Sequence, residues 1–132
     1  MLTLDYQIEE LYRGETATIL EVKKRGRDKS EFREFVEQLQ EAEKKKLLMQ
    51  IKKYADHGIV NKLVIRKIKD DIYEFKSEHN RVLCGLCSKQ SRRTLVLLNC
   101  FKKQEKKTPE NEKKKACEMF NDVKEVMEME RL

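Results

Sequence analysis

Seven cations fall in a short part of the chain that alternates like a β-sheet: Arg66, Lys67, Lys69, Lys76, Arg81, Lys102 and Lys103. Residues 62–107 carry 13 Lys/Arg against 5 Asp/Glu, net +8; residues 1–61 are net 0 and residues 108–132 net −2. The whole-chain charge of +6 therefore comes from one segment. Basic clustering on one structural unit is the electrostatic footprint of a protein that meets a polyanion, nucleic acid above all. The plain alternative is a sheet face whose charges only meet solvent. Several cations aimed at one phosphodiester bind its charge and stabilise the extra negative charge of a pentavalent transition state. If the target is RNA, its own 2′-hydroxyl is the nucleophile. The chemistry then asks for orientation, a proton acceptor and a leaving-group donor, with no metal or cofactor. Glu74 shares a strand face with Lys76 and is one possible base; a lysine whose pKa is lowered by cationic neighbours is another.

Other residue types offer less. Cys84-Gly85-Leu86-Cys87 is a C-x-x-C, but a zinc site needs four ligands, usually two such pairs. Residues i and i+3 of a strand also point to opposite faces. A redox C-x-x-C normally opens a helix, which this one does not. Free thiols are the expected state. His57 and His79 are isolated in polar contexts and read as surface histidines. No glycine-rich phosphate loop is present in the sequence.

The elements that must position these residues follow from periodicity. Thr16–Val22 is β-prone and bounded by Gly14 and Gly26, a first strand. Phe32, Phe35, Val36 and Leu39 fall at helical spacing, and Leu47, Leu48, Ile51, Tyr54 and Ala55 resume it before Gly58. Asp28 and Ser30 are candidate N-caps. One long bent helix or a helical hairpin fits, and the hairpin, broken near Glu43–Lys46, is preferred because a triple-lysine patch sits poorly on a buried seam. Four strands follow: Leu63–Ile68, Ile72–Lys76, Arg81–Cys87 and Arg93–Phe101. Short polar turns between them imply an antiparallel meander. The last strand is apolar on both faces and reads as central. Such a meander brings Lys76, Arg81 and Lys102/Lys103 to one edge. Thr108 reads as an N-cap with Pro109 as first helical residue, and Ala116, Met119, Phe120, Val123, Val126 and Met127 make an amphipathic helix to cover the sheet. The architecture expected is α+β, a twisted antiparallel sheet with helices on one side.

The chain has 132 residues, one domain's worth. Charged residues make up 41% and hydrophobic residues 39%, so the core is small. No run of 18 apolar residues and no basic-then-apolar N-terminus occurs, which makes a cytoplasmic protein with no membrane partner the default expectation, its four cysteines reduced. Residues 1–13 give no clear pattern.

Taken in order, Asp71-Ile72-Tyr73-Glu74-Phe75-Lys76, then Arg81-Val82-Leu83, then Leu97-Leu98-Asn99-Cys100-Phe101-Lys102-Lys103, then Lys106-Lys107-Thr108-Pro109 and Ala116 resemble the phage-derived, HigB-like branch of the RelE/ParE toxin superfamily. The resemblance spans roughly residues 16–125, with residues 1–15 as an N-terminal extension and 16–132 as one toxin domain. It implies a RelE-like fold: N-terminal strand, helical hairpin, antiparallel meander and C-terminal helix. It also implies a type II toxin that cleaves mRNA, often on the ribosome, and is neutralised by a cognate antitoxin, commonly a helix-turn-helix protein. By position, Arg81 matches the family's phosphate-binding arginine, Lys76 stands where arginine is usual, Lys102 and Lys103 match paired lysines, and Lys67 matches a basic residue before the Tyr-Glu strand. The catalytic set expected is Arg81, Lys76, Lys103 and Glu74, with Lys67, Lys102, Arg66 and Lys106 as RNA contacts. Asn99 replaces a common histidine and Cys84 a common tyrosine. Competing expectations are a non-catalytic or ParE-like binder of another target, and a basic interaction module outside the family.

Overall fold

The computed structural model describes residues 5–58, 64–87, 93–104 and 106–130. Six strands and three helices run in the order β1 (Tyr6–Arg13), β2 (Ala17–Lys24), α1 (Glu31–Glu37), α2 (Glu41–His57), β3 (Ile65–Lys69), β4 (Ile72–Ser77), β5 (Asn80–Cys87), β6 (Arg93–Lys102) and α3 (Glu110–Glu130). They form one sheet in the order β1-β2-β6-β5-β4-β3. The α+β, RelE-like architecture is thus present, and the meander β3-β4-β5-β6 is antiparallel throughout. The sheet as a whole is mixed, because β2 joins β6 in parallel. Residues 6–13 form β1, which pairs antiparallel along β2 at the sheet's edge. No described helix is long and apolar enough to cross a membrane. The expected strand start at Leu63 and the turn at Ser88–Ser91 lie outside the described residues.

β6 is central, and its sequence explains why. Leu95 and Leu97 enter one core with Phe32, Val36, Leu47, Ile51 and Tyr54 of α1 and α2. Val96 and Leu98 enter a second core with Ala116, Phe120 and Val123 of α3. A strand apolar on both faces needs cover on both. The expectation of helices on one side is therefore corrected: the sheet is sandwiched, with α1 and α2 on one face and α3 on the other.

The hairpin break also differs from the reading. It falls at residues 38–40, where Gln38 N–H and Leu39 N–H donate to Phe35 and Val36 carbonyls in tight i→i−3 bonds. Lys44–Lys46 lie inside α2, whose buried stripe Leu47, Ile51, Tyr54 and Ala55 leaves Lys45 and Lys46 on the exposed arc. Ser30 is the N-cap of α1, accepting from Arg33 N–H at 3.0 Å, and Gly58 closes α2 in the left-handed conformation at φ 63°.

Two local irregularities shape the sheet's business end. Between Val82↔Cys100 and Cys84↔Leu97 the register shifts, so Leu98 and Asn99 together oppose Leu83. This bulge resets the alternation of β6. Beyond it Cys100 joins the α1/α2 core and Phe101 the α3 core, the reverse of the phase set by Leu95 and Leu97. The second irregularity is that β2 pairs with β6 only as far as Glu21↔Leu97. Past that point Cys100 N–H donates to the Glu31 carboxylate at 2.9 Å instead of to a neighbouring strand.

Gly85 has a packing reason to be glycine. A Cβ there would lie 2.4 Å from the ring of Phe120, itself 3% exposed. Gly85→Ala is expected to cost about 1–3 kcal/mol of overpacking, read as a lower urea midpoint; Phe120→Leu in the same background should return part of that loss.

Candidate nucleic-acid interface and active site

Pleating and register assemble the site. Arg66 lies opposite Glu74, Lys76 opposite Arg81, and Arg81 opposite Phe101. Arg66, Glu74, Lys76 and Arg81 all point to the α3 face, and the β6 bulge gives the same face to Phe101 and Lys103. Glu74 is fully buried at 0% exposure. Its Oε1 takes Arg66 Nε at 3.2 Å and lies 3.9 Å from Arg81 Nε. Its Oε2 accepts from the Thr108 hydroxyl at 2.6 Å, and that hydroxyl in turn accepts from Arg66 Nη2 at 3.4 Å. Glu74 meets Arg66 and Arg81, and both it and Lys103 act on Lys76, so the cluster sets four cations against this carboxylate.

Arg81 is 8% exposed. Its Nη1 donates to the carbonyls of Glu78 at 2.6 Å and Asn80 at 2.9 Å, which ties the guanidinium to the β4–β5 turn. Lys76 is half-buried, and its pKa is lowered first by burial and then by Arg66; Glu74 pulls it up, and Arg81 and Lys103 lower it by lesser amounts. Burial also lowers the pKa of Arg81, opposed by Glu74; a guanidinium nonetheless stays protonated in water.

The structure therefore brings together Arg66, Glu74, Lys76, Arg81 and Lys103. The expectation that Lys102 converges with them is corrected. The reset alternation turns Lys102 to the α2 face, where its ammonium meets Glu43 at 3.0 Å. Asn80 Nδ2 donates to the same Glu43 oxygen, and these two contacts lower the Glu43 pKa. Lys67, opposite Tyr73, is exposed on that other face too. Lys106 is exposed two residues ahead of Thr108.

Two residues were missed in their roles. Phe101 is a half-buried aromatic across from Arg81, on the cationic face; the only signal for it in the sequence is its place before the lysine pair. Thr108 was read as a helix cap, and this is a second correction. Pro109 carbonyl accepts the first helical bond, from Lys113 N–H at 3.1 Å, so Pro109 holds the cap position and the Thr108 hydroxyl goes to Glu74. Asn99 is fully buried, and its amide donates to the Glu112 carboxylate at 2.8 Å and to the Glu112 carbonyl at 3.2 Å, which pins α3 to β6. The thiols split as strand geometry requires: Cys84 packs in the α1/α2 core and donates to Tyr73 carbonyl at 3.4 Å, while Cys87 packs on the α3 side. Burial pushes the Cys84 thiol far up. His57 and His79 are exposed, at the end of α2 and in the β4–β5 turn.

Residues 34–121 match the model of the phage-derived Gp49-like proteins, known as DUF891. The chain belongs to this family. The match begins within α1 and ends in α3, so it contains the whole cationic cluster, while β1 and β2 precede it. The Gp49-like family lies in the RelE/HigB toxin-like clan. No curated protein matches the chain.

The electrostatics of this Gp49-like site are open to direct measurement. Glu74→Gln removes the one charge that raises the Lys76 pKa, so that pKa should fall further; Arg66→Gln should raise it. Carbon-13 NMR of lysine Cε across a pH titration reads both directions.

Proposed function

We propose that this Gp49-like protein is the toxin of a type II toxin–antitoxin pair, a HigB-like mRNA interferase that cuts mRNA, on the ribosome, without a metal. The observation that carries the reading is the cluster of four cations around one buried carboxylate on a single sheet face. Arg81, Arg66 and Lys103 would bind the scissile phosphate and the charge that grows on it. Lys76, whose pKa is lowered by burial and by Arg66, would take the proton of the 2′-hydroxyl as that oxygen attacks the adjacent phosphorus. The P–O5′ bond then breaks, a protonated Lys103 supplies the leaving oxygen's proton, and the products are a 2′,3′-cyclic phosphate and a 5′-hydroxyl. Glu74, sealed from solvent with both oxygens engaged, fits the role of fixing the arginines rather than that of a base. Phe101 offers a face for a base to stack on. Lys67, Lys102 and Lys106 would meet RNA phosphates outside the reacting one. A cognate antitoxin, of helix-turn-helix type, would neutralise the toxin in the cytoplasm.

A second reading, a non-catalytic or ParE-like member that acts by binding, draws on two observations. Arg81 has one nitrogen committed to its own turn, and Lys76 lacks the two-pronged fork an arginine would bring.

Induced expression is expected to arrest growth and to produce new mRNA 5′ ends by primer extension, with Arg81→Ala restoring growth. Growth arrest with intact transcripts would favour the binding reading instead. In vitro, kcat should rise with pH until Lys76 is fully deprotonated. Lys76→Ala should lose about 10²–10⁴-fold, the usual worth of a general base, and should flatten that rise.

A further inference from the structure

We infer that Thr108 is a positioning residue of this site, resting on the reading of the cluster as a phosphodiester site. The hydroxyl has one proton and two lone pairs. Its proton is committed to Glu74 Oε2 at 2.6 Å, and a lone pair faces Arg66 Nη2 at 3.4 Å. With Oε2 held from this side, Oε1 is turned toward Arg66 Nε at 3.2 Å and Arg81 Nε at 3.9 Å. Thr108, Glu74 and Arg66 thus close a three-membered polar ring, and two of its members, at 3% and 0% exposure, are shut away from water. A charge-assisted bond of that length, in a low-dielectric setting, is stronger and more directional than one in solvent.

Helix capping does not account for this hydroxyl. The cap position is Pro109, and the Thr108 side chain turns toward the sheet. Thr108 also lies where the chain passes from the cationic strand end into α3, which is fastened one turn on by Glu112 to Asn99. The docking of α3 and the aim of the Arg66 guanidinium therefore share one atom. A guanidinium must present a fixed plane to bind phosphate in a two-pronged way, and small misplacements of such groups are costly to rate. Thr108 touches neither the reacting phosphate nor the attacking oxygen; it acts through Glu74 and Arg66.

The test uses the full chain with Thr108→Val, which keeps the shape and removes the hydroxyl, and Thr108→Ser, which keeps the hydroxyl. The first readout is the arginine Nε–H resonances in nitrogen-15 spectra, assigned with Arg66→Lys and Arg81→Lys, followed through a titration with inorganic phosphate. Thr108→Val is expected to move the Arg66 resonance and to weaken phosphate about tenfold, as loss of an aligned charge-assisted contact does, while Thr108→Ser stays near wild type. The second readout is RNA cleavage. In Thr108→Val kcat should fall about 10–100-fold, the scale set by misplacement of a catalytic group, with KM changed far less because RNA is held by many phosphates. If Thr108→Val does not fold, Thr108→Ala, which also removes the hydroxyl, takes its place and should move the same resonances. Unchanged arginine resonances and phosphate affinity in Thr108→Val, or equal impairment of the valine and serine variants, overturns the inference. If wild type cuts no RNA yet the resonances respond, the positioning role stands and the ribonuclease reading falls.

Discussion

Moving an ionised carboxylate out of water costs several kcal/mol unless charge and hydrogen bonds are returned to it. Glu74 is fully buried, and it receives that return from Arg66, Thr108 and the nearby Arg81. The dependence runs both ways. Four cations on one strand-end face repel each other, and burial of Arg81 and half-burial of Lys76 sharpen the repulsion. The Glu74 carboxylate, beside Arg66 and Arg81 and acting on Lys76, offsets part of that repulsion while leaving an excess of positive charge for an incoming anion. Removing it would leave guanidinium groups buried against like charge, the more expensive failure of a broken pair. On the other face the arrangement is different: Lys102 has Glu43, Lys46 has Glu78 and Lys52 has Asp56, each pair close to neutral and near solvent.

What sorts the cations between the two faces is the backbone, not the charge. Lys102 and Lys103 are chemically identical neighbours, and pleating must send them to opposite sides. Which one joins Arg81 is decided by the extra residue at Leu98–Asn99. Two side chains hold the bulge from its flanks: Glu112, which takes the Asn99 amide, and Glu31, which takes Cys100 N–H.

Much of this could be read from the residues alone. Strand alternation in Ile72–Lys76 gave the shared face of Glu74 and Lys76, and the two-sided apolarity of Leu95–Leu98 gave the central strand. The same two-sidedness calls for cover on both faces, where the sequence reading expects helices on one. Three features had no local signal. A bulge is a property of two strands in register, so nothing within Leu97–Lys103 announces it. Thr-Pro before a helix is a capping pattern by propensity, and only the tertiary pairing with Glu74, 34 residues away in sequence, outbid it. Residues 6–13, mixed in character, become a strand because β2 offers an edge to pair with. Of the site residues, Arg66, Glu74, Lys76, Arg81 and Lys103 were legible because simple alternation or turn geometry places them; Lys102 was misplaced by one unseen residue.

The early departure of β2 from β6 has its own consequence. A continuous sheet separates the layers packed on its two faces, so helices on opposite sides do not touch. Here the partition has a gap. Glu31, at the start of α1, passes through it: one oxygen holds Cys100 N–H at the sheet's open flank and the other meets the Lys115 ammonium of α3 at 2.8 Å. The two helical layers are therefore joined through a side chain where backbone pairing is missing.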